Sequence, residues 1–217
     1  MNPFQWVLSV LLANIMISAT SPVRFVSEKD IPAYEAYNRG VALNSLDIHR
    51  AIAEYERAID IKDDLTEAHQ NLGLLYERRG DMRMARDTHL RAIQSAGNDA
   101  EASFRAALLS NLGDITVKIG LADGYDIETI DEGIKILQQA VLVDEFSEQA
   151  LQNLGQSYFR VGQYKSANQI FIKLVKLNPE NGMANLNIGN GFFMQKKFRF
   201  VSMTDYQCSL CNYVLPQ

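Results

Sequence analysis

The chain has 217 residues, of which 47% are hydrophobic and 22% charged, and its formal net charge is -5. This composition excludes an intrinsically disordered chain. It contains no Lys/Arg cluster able to track a phosphate backbone, so no nucleic-acid partner is implied.

The first element is apolar. Residues 1–19, MNPFQWVLSVLLANIMISA, run from Phe4 to Ile17 with only Gln5, Ser9 and Asn14 as polar interruptions. That stretch is short for a spanning helix and suits the apolar region of a secretory signal, with cleavage near Ala19. It places the chain in the secretory pathway or outside the cell. The n-region has no Lys or Arg, which leaves two other readings. One is a buried N-terminal helix in a cytoplasmic chain; the other is an uncleaved anchor, the only circumstance in which a membrane becomes a partner. Residues 20–32 read as a linker.

From residue 33 the chain repeats itself. The frames NLGLLYERRG (71–80), NLGDITVKIG (111–120) and NLGQSYFRVG (153–162) share Asn-Leu-Gly, six residues, Gly. Asn38-Arg39-Gly40 and Asn187-Ile188-Gly189 begin in the same way. The five asparagines are separated by 33, 40, 42 and 34 residues. A second pattern follows each of the first four frames: Ala51, Tyr55 and Ala58; Ala85 and Ala92; Gly133, Leu137 and Ala140; Ala167, Phe171 and Leu174. Spacings of 3, 4 and 7 put these residues on one helical face, so each unit is two helices. Small residues let antiparallel helices approach closely. Tyr76 or Tyr158 on the first helix, and Tyr55 or Phe171 on the second, fill the remaining gap. Gly80, Gly120 and Gly162 are expected to end the first helices in the left-handed conformation. Pro179 closes the fourth unit.

The departures are local. Unit three has six extra residues before Asn111, so its first helix can begin as early as Asp99. It has eight more within LADGYDIET, read as a loop around Gly124, with Thr129 and Glu132 as a capping box for the next helix. Unit five begins well and fails after Phe198. Residues 199–217 form an atypical tail, which suits either a capping helix or a sequence that stops early.

These motifs resemble the tetratricopeptide repeat family over about residues 33–198. The fourth unit matches its pattern at Leu154, Gly155, Tyr158, Gly162, Ala167, Phe171 and Pro179. The second matches at Leu72, Gly73, Tyr76, Gly80, Ala85 and Ala92. The resemblance implies an all-α fold, a right-handed α–α superhelix of four full units and a partial fifth. It also implies that the residue two before each frame glycine faces the inner groove. Here those residues are Asn38, Asn71, Asn111, Asn153 and Asn187. A carboxamide can pair with both the N–H and the C=O of an extended peptide. The ladder is similar to that of O-linked N-acetylglucosamine transferase repeats, whose asparagines hold substrate peptides. Gln70, Gln152, Gln156, Arg78 and Arg160 are expected to share the groove. The alternative is structural, with each asparagine bonding a neighbouring helix.

The family's carboxylate clamp for acidic C-termini needs clustered cations. Arg78, Lys118 and Arg160 are separate, so the clamp is not expected. His89 takes the aromatic position of a second helix and reads as a packed histidine. His69 reads as surface or groove.

No P-loop, G-x-G-x-x-G, H-E-x-x-H or G-x-S-x-G occurs in the sequence, and Cys208 and Cys211 form a lone C-x-x-C. The expectation is therefore a non-enzymatic interaction module with a protein or peptide partner and no cofactor, metal or evident small-molecule substrate. The other reading is the substrate-recruiting N-terminal part of a larger enzyme such as a glycosyltransferase.

Overall fold

The computed structural model describes residues 27–97 and 100–211, so the apolar segment 1–19, most of the linker and Asp99 lie outside the described residues. Cys208 and Cys211 fall on the backbone of the last helix. The chain divides into two units, residues 1–31 and 32–217. In the first, the described residues include a single 3-10 turn, Glu28–Asp30.

The described residues form nine α-helices and no strand: α1 (Ile31–Leu43), α2 (Ile48–Ile61), α3 (Thr66–Arg79), α4 (Met82–Ala96), α5 (Ala102–Ala122), α6 (Ile127–Val143), α7 (Glu148–Arg160), α8 (Tyr164–Leu177) and α9 (Gly182–Cys211). Odd-numbered helices are the first helices of the units and even-numbered ones the second. Each helix from α2 onward packs on its neighbour in the chain, and α5 also packs on α7. This is the contact pattern of a solenoid, in which a unit touches little beyond the next unit.

One register recurs in every complete pair. A Cβ on the frame glycine would collide with the large side chain four residues after the small residue of the second helix. The distances are 2.7 Å for Gly40 to the Tyr55 ring, 2.5 Å for Gly73 to His89, 2.7 Å for Gly113 to Leu137 and 2.7 Å for Gly155 to Phe171. Ala51, Ala85 and Ala167, the small residues of these second helices, are fully buried. In the third pair the small residue is Gly133, and the approach is closest. A Cβ there would lie 2.7 Å from the backbone nitrogen of Val117, which cannot step aside.

The helix ends divide into two kinds. Gly80 (φ 92°) and Gly162 (φ 80°) take the left-handed conformation and stop α3 and α7. Gly120 does not; this corrects the sequence expectation. It is buried inside α5, with the Ile130 nitrogen 2.9 Å from where its Cβ would stand, and α5 runs on to Ala122. The left-handed residues of that turn are Gly124 (φ 78°) and Tyr125 (φ 65°). Thr129 is not the cap of α6 either. Asp126 is: its carboxylate accepts from the Glu128 amide at 3.1 Å and from the Thr129 hydroxyl at 2.6 Å. Glu132 instead pairs with Arg86 of α4 at 2.9 Å.

In α9 the residue nine after the frame asparagine is Lys196, where the second and fourth units have Gly80 and Gly162. With no left-handed residue to stop it, α9 continues as one helix of 30 residues.

Gly133→Ala is expected to destabilise the protein by about 1–3 kcal/mol through overpacking, although alanine favours a helix by about 1 kcal/mol over glycine. Gly182→Ala, with nothing within 4 Å, is expected to cost nothing. Urea unfolding of the two variants checks the pair, and equal stability would mean that the close approach carries no energy.

Candidate peptide-binding groove

The groove residues singled out in the sequence all lie on first helices. The structure divides their carboxamides into two groups.

Asn71, Asn111 and Asn153 stitch helices together. Asn71 Nδ2 donates to the hydroxyls of Tyr37 (3.3 Å) and Tyr55 (3.4 Å), joining α3 to α1 and α2. Asn111 is only 7% exposed, and its Oδ1 accepts from Gln149 Nε2 at 2.6 Å. Asn153 Nδ2 donates to Ser110 Oγ at 3.0 Å. The last two bonds join α5 to α7. For these asparagines the structural alternative therefore operates, because helices held so close leave half-buried polar groups that must find partners.

Asn38 and Asn187 make no hydrogen bond among the described residues, and the same holds for Gln70, Gln152 and Gln156. Asn38 is exposed and the other four are half-buried. Leu74, 37% exposed, lies one turn from Gln70.

The three cations are all engaged. Arg78 donates to the carbonyl of Asn44 at 2.9 Å. Lys118 pairs with Glu77 and with Asp114 at 2.7 Å, and Asp114 also accepts from Arg160 at 2.9 Å. The chain Glu77–Lys118–Asp114–Arg160 crosses α3, α5 and α7. Burial disfavours the charge on Lys118, but the hydrogen bonds it donates to Asp114 and Glu77 outweigh it and raise its pKa above the ordinary value. Lys118 and Arg160 are thus paired with carboxylates, while Arg78 bonds a neutral carbonyl. A cavity of about 420 Å³ opens beside this row, lined by Asn44, Leu74, Leu75, Glu77 and Arg78.

Two histidines sit deeper than the groove. His69 is 2% exposed, which corrects the expectation of a surface residue; its Nε2 lies 2.7 Å from the Asp63 carbonyl. His89 is fully buried against Gly73, and neither ring nitrogen has a partner. Burial lowers its pKa to about 4; Glu77 opposes that shift and Lys118 adds to it.

Sequence reasoning offered inter-helix bonding by the asparagines as an alternative but missed their partners, and it missed the ion-pair chain. Gln149 and Ser110 gave no periodic signal, since each serves one junction only. Among the described residues no group of three or more His, Cys, Asp or Glu could hold a metal, and no helix is long and apolar enough to cross a membrane.

Residues 68–103 and 148–181 each match a family model described as tetratricopeptide repeat. The fold is a tetratricopeptide-repeat solenoid. Solved structures agree. YrrB, described as a TPR protein with an unusual peptide-binding site, is 21% identical with a TM-score of 0.56, over 78% of this chain and 80% of that one. MamA is 19% identical with a TM-score of 0.60, over 86% and 97%. PilF of Pseudomonas aeruginosa is 16% identical with a TM-score of 0.61, over 88% and 80%. At these identities the likeness is one of fold. No curated protein matches the sequence significantly.

The buried His89 of this solenoid makes stability depend on pH. Its folded pKa, about 4, lies below the ordinary 6.5, so the unfolded chain takes up a proton first as pH falls. The contribution is fully present above pH ~6.5 and is lost toward pH ~4, reaching about 3 kcal/mol. Thermal melts across that range should show the loss in the wild type and a smaller one in His89→Leu.

Proposed function

We propose that the protein is an interaction module that holds an extended peptide, or an extended segment of a partner protein, along the face of its first helices. The observation that carries this reading is the set of first-helix carboxamides with no side-chain partner among the described residues: Asn38, Gln70, Gln152, Gln156 and Asn187. Each offers two donors and an acceptor oxygen, the complement of a peptide main chain. Carboxamides on successive first helices would hold backbone and leave side-chain choice open.

The proposal departs from the transferase-like ladder in one respect. Asn71, Asn111 and Asn153 spend amide capacity on neighbouring helices, so the glutamines one position before or three after them take over the contact to the ligand. Asn71 and Asn153 donate through nitrogen only, and each keeps an oxygen for a peptide N–H. The cavity beside Leu74 and Leu75 would take one apolar side chain of the ligand. Arg78 and Arg160 border the site, but each is tied within the fold, to Asn44 and Asp114. They would shape its edge without binding an acidic terminus. YrrB, a solenoid of similar fold described as having an unusual peptide-binding site, supports this reading. The apolar segment 1–19 would deliver the module to the secretory pathway, a reading that mass spectrometry of the mature N-terminus tests directly.

The groove reading is tested with a phage-displayed library of random linear peptides. The wild-type chain should enrich binders. The triple variant Gln70→Ala, Gln152→Ala, Gln156→Ala should weaken them by tenfold or more, about 1.4 kcal/mol, with unchanged helicity. Enriched peptides that bind the triple variant as tightly as wild type would remove the groove from consideration. Asn111→Ala serves as the contrast: it should lower the melting temperature, because Gln149 loses its partner.

A further inference from the structure

A first helix is held in place by what it buries. α7 buries Ala150, Leu151, Leu154, Gly155 and Ser157. Over residues 182–196, α9 buries only Ala184 and Gly191. The residue two after each frame glycine shows the decline along the chain. It is Leu75 in α3, Ile115 in α5, Ser157 in α7 and Gly191 in α9. Leu75, Ile115 and Ser157 are each at most 1% exposed. In α9 that position has no side chain, and Asn168 of α8 fills the space; a Cβ on Gly191 would collide with its carboxamide. Asn168 is 3% exposed, and neither its oxygen nor its nitrogen has a hydrogen-bond partner. The polar bonds of this end lie in the turn before α9. Asn178 Nδ2 donates to the Glu148 carboxylate at 3.1 Å, the Ala184 amide donates to Asn181 Oδ1 at 3.0 Å, and Asn185 Nδ2 donates to the Pro179 carbonyl at 3.3 Å.

We propose that α9 is a hinged end helix. It docks on α8 and releases from it about the turn at residues 178–181 while the preceding units stay folded, and the buried Asn168 carboxamide makes the release easy. The balance follows from what each state buries. Docking gains the apolar contacts of Ala184 and the half-buried Ile188, which join the cluster around Phe171 and Leu174. It also removes both polar atoms of Asn168 from water without replacing their hydrogen bonds, a cost that release relieves. Leu186, Phe192 and Phe193 are exposed while α9 is docked, so release costs little at those side chains. The turn keeps its bond to Glu148 of α7 and serves as the pivot. A helix without a packed face is marginal in water, so the released segment loses its backbone hydrogen bonds as a local unit. Asn187 is carried on α9. If the groove holds a peptide as proposed above, release withdraws the last carboxamide of the row, and a peptide reaching Asn187 favours the docked state. That consequence rests on the groove reading; the hinge itself does not.

The hinge is read from hydrogen–deuterium exchange of the full chain without any peptide, so its failure is separate from a failure of the groove. The amides of residues 186–196 should exchange at least tenfold faster than those in the middle of α3 and α5. Asn168→Leu, close in shape and without polar atoms, should slow the 186–196 amides by about tenfold or more and leave α3 and α5 unchanged. Asn168→Ala removes the same carboxamide and cannot overpack, so it serves where leucine does not fit; it should slow them in the same direction. Simple fraying of a terminal helix would not respond to residue 168. Wild-type α9 as well protected as α3 and α5 overturns the proposal. So does α9 exchange that neither variant slows.

Discussion

The structure depends on one close approach. In each complete unit a glycine of the first helix lies against a large side chain of the second, and the contact is tight enough that a single methyl group would collide. Removing the Cβ costs helix propensity, since glycine is about 1 kcal/mol worse than alanine in a helix interior. Burial of Tyr55, Leu137 and Phe171, each fully removed from water, outweighs that cost at roughly 1.5–3 kcal/mol apiece. The nested pair is thus the stable unit, and stacking pairs produces the fold. Unit three carries the constraint furthest. Gly113 and Gly133 face each other, so the α5 and α6 backbones touch directly where other pairs interpose a ring or an alanine.

The polar chemistry follows from that nesting. Once first helices lie side by side, the residues at their shared edges cannot all reach water. Asn71, Asn111 and Asn153 therefore bond across helices, and Lys118 joins Glu77 to Asp114. His89 occupies a place that elsewhere holds an aromatic or a leucine, and it pays no ion-pairing role for its burial: it stays neutral there. Asn38, Gln70, Gln152, Gln156 and Asn187 keep carboxamides with no side-chain hydrogen bond among the described residues.

Both ends of the pattern were readable before any coordinates. The spacing of glycine, alanine and aromatic residues marked the helix pairs because nested helices need those sizes at those intervals. His89 could be placed in the interior for the same reason. The turns were less legible. Gly120 looks like Gly80 and Gly162 in the sequence, yet the Asp126 cap and the longer loop move the helix end past it. His69 looked exposed because its partner is a backbone carbonyl, which no side-chain pattern reveals.

The sequence by itself determined that the chain forms paired helices, which residues lie between them and where the periodicity fails near residue 198. Those properties are local, since each unit meets only its neighbours and the required side chains recur at fixed intervals. Tertiary structure alone decided which asparagines bond a neighbouring helix and that Lys118 and Arg160 are paired with carboxylates. These depend on contacts between residues roughly forty apart, and no periodic signal specifies which side chain will reach across.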